Sequence, residues 1–169
     1  GEIRDKETAG IAMQSALTGH LVFSTVHTND APSAYTRLLD LGVEEFLLNA
    51  SVISVMAQRL VRRICEHCSA PDPNSAAILA EADIQKMIAT YQLQPNICRG
   101  VGCEHCGGTG FKGRVAILEY LPNDEVIQSF AKDHTFLQKV AEYRRRQSLR
   151  TLREDGYLKI LKGATTYDE

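Results

Sequence analysis

The sequence predicts an α/β layered domain that passes into a small cysteine-bearing subdomain and ends in a helical tail. Three observations carry that prediction. Helical and strand periods alternate through the first 64 residues, two Cys-x-x-Cys pairs then change the composition, and helical period returns after residue 123. A chain of 169 residues has room for one sizeable core, or one core with a satellite. Its formal charge of −2 argues against a protein devoted to coating nucleic acid. No apolar run approaches the roughly 18 residues that a membrane-spanning helix needs, so a membrane role would be peripheral.

The opening "GEIRD" reads as the end of a sheet strand spilling into an active site, which makes the chain a piece of a larger protein. Residues 5–18 then space Ala9, Ala12, Met13 and Ala16 at helical period, with Asp5 as cap and Gly19 as terminator. "HLVFSTVHT" is rich in Val, Phe and Thr and predicts a buried strand bracketed by His20 and His27. Asn29 or Asp30 caps the next helix, which has Pro32 in its first turn and runs to Gly42. A further helix is expected over residues 44–58, and "RLVRRI" is expected as the strand that leads into the first cysteine pair.

Beyond Cys65, "SAPDPNSA" reads as a loop and residues 77–93 as one amphipathic helix. "VAILEYL" follows as a strand. The tail reads as three helices, "NDEVIQSFAKD", "TFLQKVAEYRRRQ" and "SLRTLREDGYLKILKG", with "TTYDE" as the first turn of another.

The strongest self-contained signal is Cys65-x2-Cys68, a gap of 34 residues, and Cys103-x2-Cys106. No signal-peptide pattern opens the sequence, so the pairs read as metal ligands in a reducing, cytoplasmic compartment rather than as disulfides. Four thiolates converging tetrahedrally on zinc leave no open position, which makes the site structural. Arg62, Arg63 and Arg99 are expected to offset its negative charge. Both pairs read Cys-Glu-His-Cys, so His67 or His105 stays open as a replacement ligand, and Cys98 reads as a buried apolar residue. The glycines of "CGGTGFKGR" do not form a phosphate loop, because no Gly-Lys pair occurs in the chain. They read instead as a tight turn whose backbone N–H groups face sulfur.

Glu2, His20 and His27 form a possible hydrolytic set: a carboxylate to orient water and an imidazole to meet an anionic group. Spacing alone leaves open the plainer reading, a solvated glutamate and two structural histidines. The runs "RLVRR" and "YRRRQSLR" read as a solvated or subunit-facing surface, since Arg144 to Arg146 fan around a helix instead of forming a stripe.

The stretches "GEIRDKETAGIAMQSALTGHLVFSTVHTNDAPSAYTRLLDLGVEEFLL", "AQRLVRRICEHC" and "CEHCGGTGFKGRVAILEYL" resemble the secretion ATPases that power type II secretion, type IV pilus assembly and conjugative thin pili. The similarity is collinear over nearly the whole chain. The cysteine pairs place it with the assembly-type branch rather than with the retraction motors. The resemblance implies the C-terminal portion of a RecA-like P-loop ATPase core over residues 1–64, a zinc subdomain over 65–113, and a last core strand with a helical subdomain over 114–169. It makes "GEIRD" the end of the Walker B strand, with Gly1 where many P-loop enzymes carry a magnesium-binding aspartate. Glu2 becomes the catalytic glutamate that polarises water. Residues 19–28 become the His box, with His27 reaching the γ-phosphate and His20 supporting it. Arg4 and Asp5 belong to the same motif as nucleotide-site residues.

The same resemblance implies ATP and magnesium in the parent, a homo-hexamer, and a cytoplasmic location at the face of the bacterial inner membrane. There an inner-membrane platform protein and cytoplasmic secretion or pilus components are its partners. The fragment alone is expected to be inactive, since Walker A is missing from it. The alternative is a non-enzymatic zinc-ribbon adaptor. A zinc-dependent DNA-binding module is disfavoured by the charge and by the missing base-reading helix.

Overall fold

The computed structural model describes residues 1–169. In chain order the elements are helices Lys6–Leu17 (α1), Pro32–Asp40 (α2) and Glu45–Ser51 (α3), strands Ser54–Ile64 (β1) and Ser69–Pro71 (β2), and helices Ser75–Ala80 (α4) and Ala82–Tyr91 (α5). Strand Cys98–Gly100 (β3), a 3-10 turn at Glu104–Cys106 and strand Phe111–Pro122 (β4) follow, and helices Glu125–Ser129 (α6), Phe136–Gln147 (α7) and Leu152–Leu161 (α8) complete the chain. The chain is α/β. β1 pairs with β4 in one two-stranded sheet and β2 with β3 in another. No helix is long and apolar enough to cross a membrane.

The residues group into two compact units, Gly1–Ala57 with Glu119–Arg150, and Gln58–Leu118 with Thr151–Glu169. In the first, Asp5 caps α1 as its sequence position predicts, its carboxylate accepting the Thr8 N–H at 2.8 Å. Asp30 takes the Ser33 N–H at the start of α2 in the same way, at 2.8 Å. The core of this unit is built on Tyr35, Leu48, Leu121, Ile127, Phe136 and Val140, all fully buried, with the Tyr35 and Phe136 rings 5.4 Å apart. Burying such side chains contributes about 1.5–3 kcal/mol each.

The expected buried strand at residues 20–28 is not a strand. Its single bridge joins Thr25 to Glu2 in parallel, and Phe23 is 83% exposed. The contacts of residues 1–3 with Ser24 and Thr25 amount to that one bridge and not to a ladder. The helix expected over 44–58 stops at Ser51. The Asn123 side-chain amide donates to the carbonyls of Asn49 (3.2 Å) and Val52 (2.7 Å), which takes up the last acceptors of α3. The β-branched residues Val52, Ile53 and Val55 then favour the extended β1.

In the second unit Ile78, Ile84, Met87, Ile97, Tyr157, Leu158, Ile160 and Leu161 form one apolar cluster. The single helix expected over 77–93 is broken at Glu81, whose backbone is extended. On an unbroken helix Ile78 and Ile84 would point about 120° apart. The break turns both into the cluster. α8 opens with a reciprocal cap, the Glu154 N–H bonding Thr151 Oγ1 (3.1 Å) and the Thr151 N–H bonding Glu154 Oε2 (2.9 Å). Residues 165–169, expected as a helical turn, instead tie down on β1. Thr165 donates to the Arg62 carbonyl at 2.8 Å, and Glu169 accepts the Arg62 backbone N–H and its Nε, each at 2.8 Å.

Candidate active site and metal centre

Residues 1–4 and 24–27 meet at the single parallel bridge, with the Ile3 N–H on the Thr25 carbonyl at 2.8 Å and the Ser24 hydroxyl on the Gly1 carbonyl. Side chains alternate along extended backbone, so this crossing brings Glu2 and His27 to one place. Glu2 Oε1 lies 2.8 Å from His27 Nε2 without hydrogen-bond alignment, and Glu2 Oε2 accepts from Arg4 at 2.6 Å. The carboxylate is 23% exposed, whereas the His27 ring is 87% exposed and open to a ligand. The hydrogen bond from Arg4 outweighs partial burial and holds the Glu2 carboxyl below its usual range, with the charges of Arg4 and His27 adding to the effect. Glu2 is therefore an acceptor at neutral pH, the state needed to orient water.

Two of the sequence candidates stand elsewhere. His20 is turned to the C-terminal end of α1, its Nδ1 3.3 Å from both the Ser15 carbonyl and the Thr18 hydroxyl. Asp5 is occupied as the α1 cap, and the Thr8 backbone N–H keeps its pKa low. Thr25 and Ser24, which fix the crossing, carry no signal in the sequence that would single them out.

The four cysteines of the two pairs converge, with all their sulfurs within 4.8 Å of one another. Cys65–Cys103 and Cys68–Cys106 are 3.9 Å apart and Cys103–Cys106 are 3.7 Å apart. A tetrahedral zinc with Zn–S bonds of about 2.3 Å sets sulfurs about 3.8 Å from one another, so the donor set fits that ion. His67 and His105 are not among these donors. Their rings stack on each other with centroids 3.9 Å apart. Cys98 lies outside the cluster, its thiol on Asn96 Oδ1 at 3.3 Å. Of the arginines near the cysteine pairs, Arg62 is engaged by Glu169 and lies over the Phe111 ring, and Arg63 is engaged by Glu66.

Backbone N–H groups do face sulfur, those of Cys103 and Gly110 donating to Cys106 Sγ at 3.2 Å. The glycines make this approach possible. A Cβ at Gly100 would stand 1.9 Å from the Gly110 carbonyl oxygen, and Gly110 itself sits at φ +77°. Burial opposes ionisation at both Cys68 and Cys106. It prevails at Cys68, whose pKa is pushed up to about 11, while the two N–H donors bring Cys106 down to about 6.

The family model described as "Type II/IV secretion system protein" matches residues 1–169. The chain is 49% identical over its whole length to the type IV pilus assembly ATPase PilB of Thermus thermophilus, of which it covers 19%. It is 43% identical to the type IV pilus assembly ATPase TfpB of Acinetobacter baylyi, again over the full chain and covering 28% of that protein. Type II secretion system protein E of Aeromonas hydrophila is also 43% identical over the full chain, with 32% covered. The chain thus spans a third or less of the length of these relatives. Among solved structures, the pilus retraction motor PilT with bound ADP aligns with 99% of the chain and 36% of its own, at a TM-score of 0.62 and 21% identity. The Legionella pneumophila ATPase DotB aligns with 99% of the chain and 35% of its own, at 0.60 and 21%. Those two likenesses concern the fold.

Proposed function

The chain belongs to the type II/IV secretion system protein family, and we propose on that premise that it is the C-terminal part of a hexameric ATPase that drives pilus or pseudopilus assembly or type II secretion. The observation that carries this reading is the meeting of Glu2 and His27, 25 positions apart in sequence and 2.8 Å apart in space, with Arg4 behind the carboxylate. Phosphoryl transfer to water depends on positioning and on charge neutralisation more than on covalent help from the protein. In this reading Glu2 orients the attacking water and takes the proton it releases, Arg4 keeps Glu2 ionised, and His27 meets the γ-phosphate. His20 supports the segment from the end of α1, and Asp5 fixes the direction in which α1 leaves the site.

Magnesium neutralises nucleotide phosphates when bound. The carboxylates here do not fit it as a ligand set, because Glu2 is engaged by Arg4 and Asp5 by the Thr8 N–H. The reading therefore assigns magnesium and phosphate binding to the remainder of the parent, where Walker A would lie in a RecA-like core. Zinc is assigned to Cys65, Cys68, Cys103 and Cys106 as a structural ion. Functionally the chain divides into residues 1–64 as ATPase core, 65–113 as zinc subdomain and 114–169 as the final core strand with a helical subdomain. The parent would work in the cytoplasm against an inner-membrane platform protein, together with cytoplasmic secretion or pilus components.

Steady-state phosphate release tests the proposal. The parent hexamer is expected to turn over ATP at a rate typical of motor ATPases, and the 169-residue chain alone to release none above buffer. A parent that folds into hexamers and hydrolyses nothing would overturn the reading and favour a zinc-bearing adaptor.

A further inference from the structure

The mechanism above leaves a buried ion pair unused. Glu119 near the end of β4 is 2% exposed and Arg144 in the last turn of α7 is 7% exposed, so the arginine expected on a solvated or subunit-facing surface is in fact inside. Arg144 Nη1 stands 3.1 Å from Glu119 Oε1, and Nη2 donates to the Arg150 carbonyl at 2.6 Å. The same Glu119 Oε1 accepts the backbone N–H of Ala31 at 2.9 Å. Ala31 is fully buried and immediately precedes α2, so water cannot take that N–H if the carboxylate is removed.

The position of Ala31 gives the pair its significance. At one end of residues 26–30 the Ile3 N–H pins Thr25, and at the other the Glu119 carboxylate pins Ala31. His27 lies in the span between. Within the span the Thr28 hydroxyl donates to the Asp30 carbonyl at 3.0 Å, and Asp30 holds the Ser33 N–H, so the turn is continuous with α2. A buried ion pair is weak evidence for a stabilising role, because apolar residues of similar volume often replace one at little cost. A specific acceptor at Ala31 is something apolar residues cannot supply. We infer that Glu119 is a positioning residue that fixes the turn after His27, and hence the imidazole relative to Glu2, with Arg144 orienting its carboxylate. The inference rests on the reading of Glu2 and His27 as the hydrolytic pair.

The experiment compares two double variants of the parent hexamer. Glu119→Met with Arg144→Met removes both charges and the acceptor while keeping volume. Glu119→Gln with Arg144→Met removes both charges but leaves an amide oxygen for Ala31. The first is expected to lower kcat for ATP about tenfold with KM unchanged, as small misplacements of reacting groups do. The second is expected to restore kcat to within about twofold of the parent. Amide hydrogen exchange across residues 27–34 should rise in the first variant only. Arg144→Lys serves if the first variant does not assemble. It keeps the buried charge but loses the guanidinium fork, with kcat expected to fall about threefold at constant KM. Equal kcat and equal exchange in the two double variants, or parental kcat in Arg144→Lys, would overturn the inference. A parent without ATP turnover would instead overturn the proposed function, and the exchange contrast would then decide alone whether Glu119 holds the turn.

Discussion

Replacing Cys65 by serine is expected to abolish binding of one equivalent of zinc and to unfold the environment of the four sulfurs. Zinc bound by four thiolates contributes folding free energy directly, with apparent values of about 10–16 kcal/mol in small zinc modules. The second unit has its own apolar cluster, so part of its stability is independent of metal. A loss of at least about 5 kcal/mol is expected, which lowers Tm by more than about 10 °C in a chain of this size. Hydrogen exchange should localise the loss to residues 65–69 and 98–111, where the two cysteine loops hold each other through the Cys65 N–H to Gly110 carbonyl bond (2.9 Å) and the Val101 N–H to Cys68 carbonyl bond (3.0 Å). Treatment with a strong chelator should reproduce the effect. An unchanged melting curve after metal removal would show that the sulfur cluster carries no structural ion.

The second large effect is expected at Glu2. Glu2→Gln keeps the shape of the side chain and an acceptor for Arg4, but it removes the negative charge and the proton affinity. Loss of a positioned base or acceptor costs about 10²–10⁴ in rate. In the parent, kcat should therefore fall by about that factor while KM for ATP and the oligomer stay as they are. The pH dependence has a definite sign. Arg4 lowers the Glu2 pKa in the folded protein, so the stability from this bond is present above the ordinary carboxylate value and is lost as pH falls through the lowered one. The acid limb of turnover assigned to Glu2 should accordingly lie below the usual glutamate range, and Arg4→Met should move it up. A limb that does not move when Arg4 is replaced would separate the two residues.

What was legible in the sequence was mostly local. The Asp5 cap depends on a bond three residues away, and the convergence of the two cysteine pairs was signalled by their spacing alone. The features that were not legible depend on partners far along the chain. α3 ends early because Asn123, more than 70 positions later, takes its carbonyls. Arg144 is inside because Glu119 and the Arg150 carbonyl meet it there, whereas helical spacing alone placed it on the surface. The apolar run "HLVFSTVHT" has strand composition, yet its pairing in the structure is a single bridge, since strand propensity alone does not make a ladder. His20 and His27 look equivalent as residue types flanking that run. The C-terminal turn of α1 captures the first, and the crossing at Thr25 delivers the second to Glu2.

The most direct test of a Glu2–His27 hydrolytic pair is a double-mutant cycle on kcat in the proposed full-length ATPase, using Glu2→Gln, His27→Gln and the two combined. Residues that act on one transition state as a unit are not additive, so the double variant should be no more than about twofold slower than Glu2→Gln alone. If the two losses multiply, or if Glu2→Gln turns over at the parental rate, then the contact between Glu2 and His27 is a structural feature of the strand end and not the hydrolytic site.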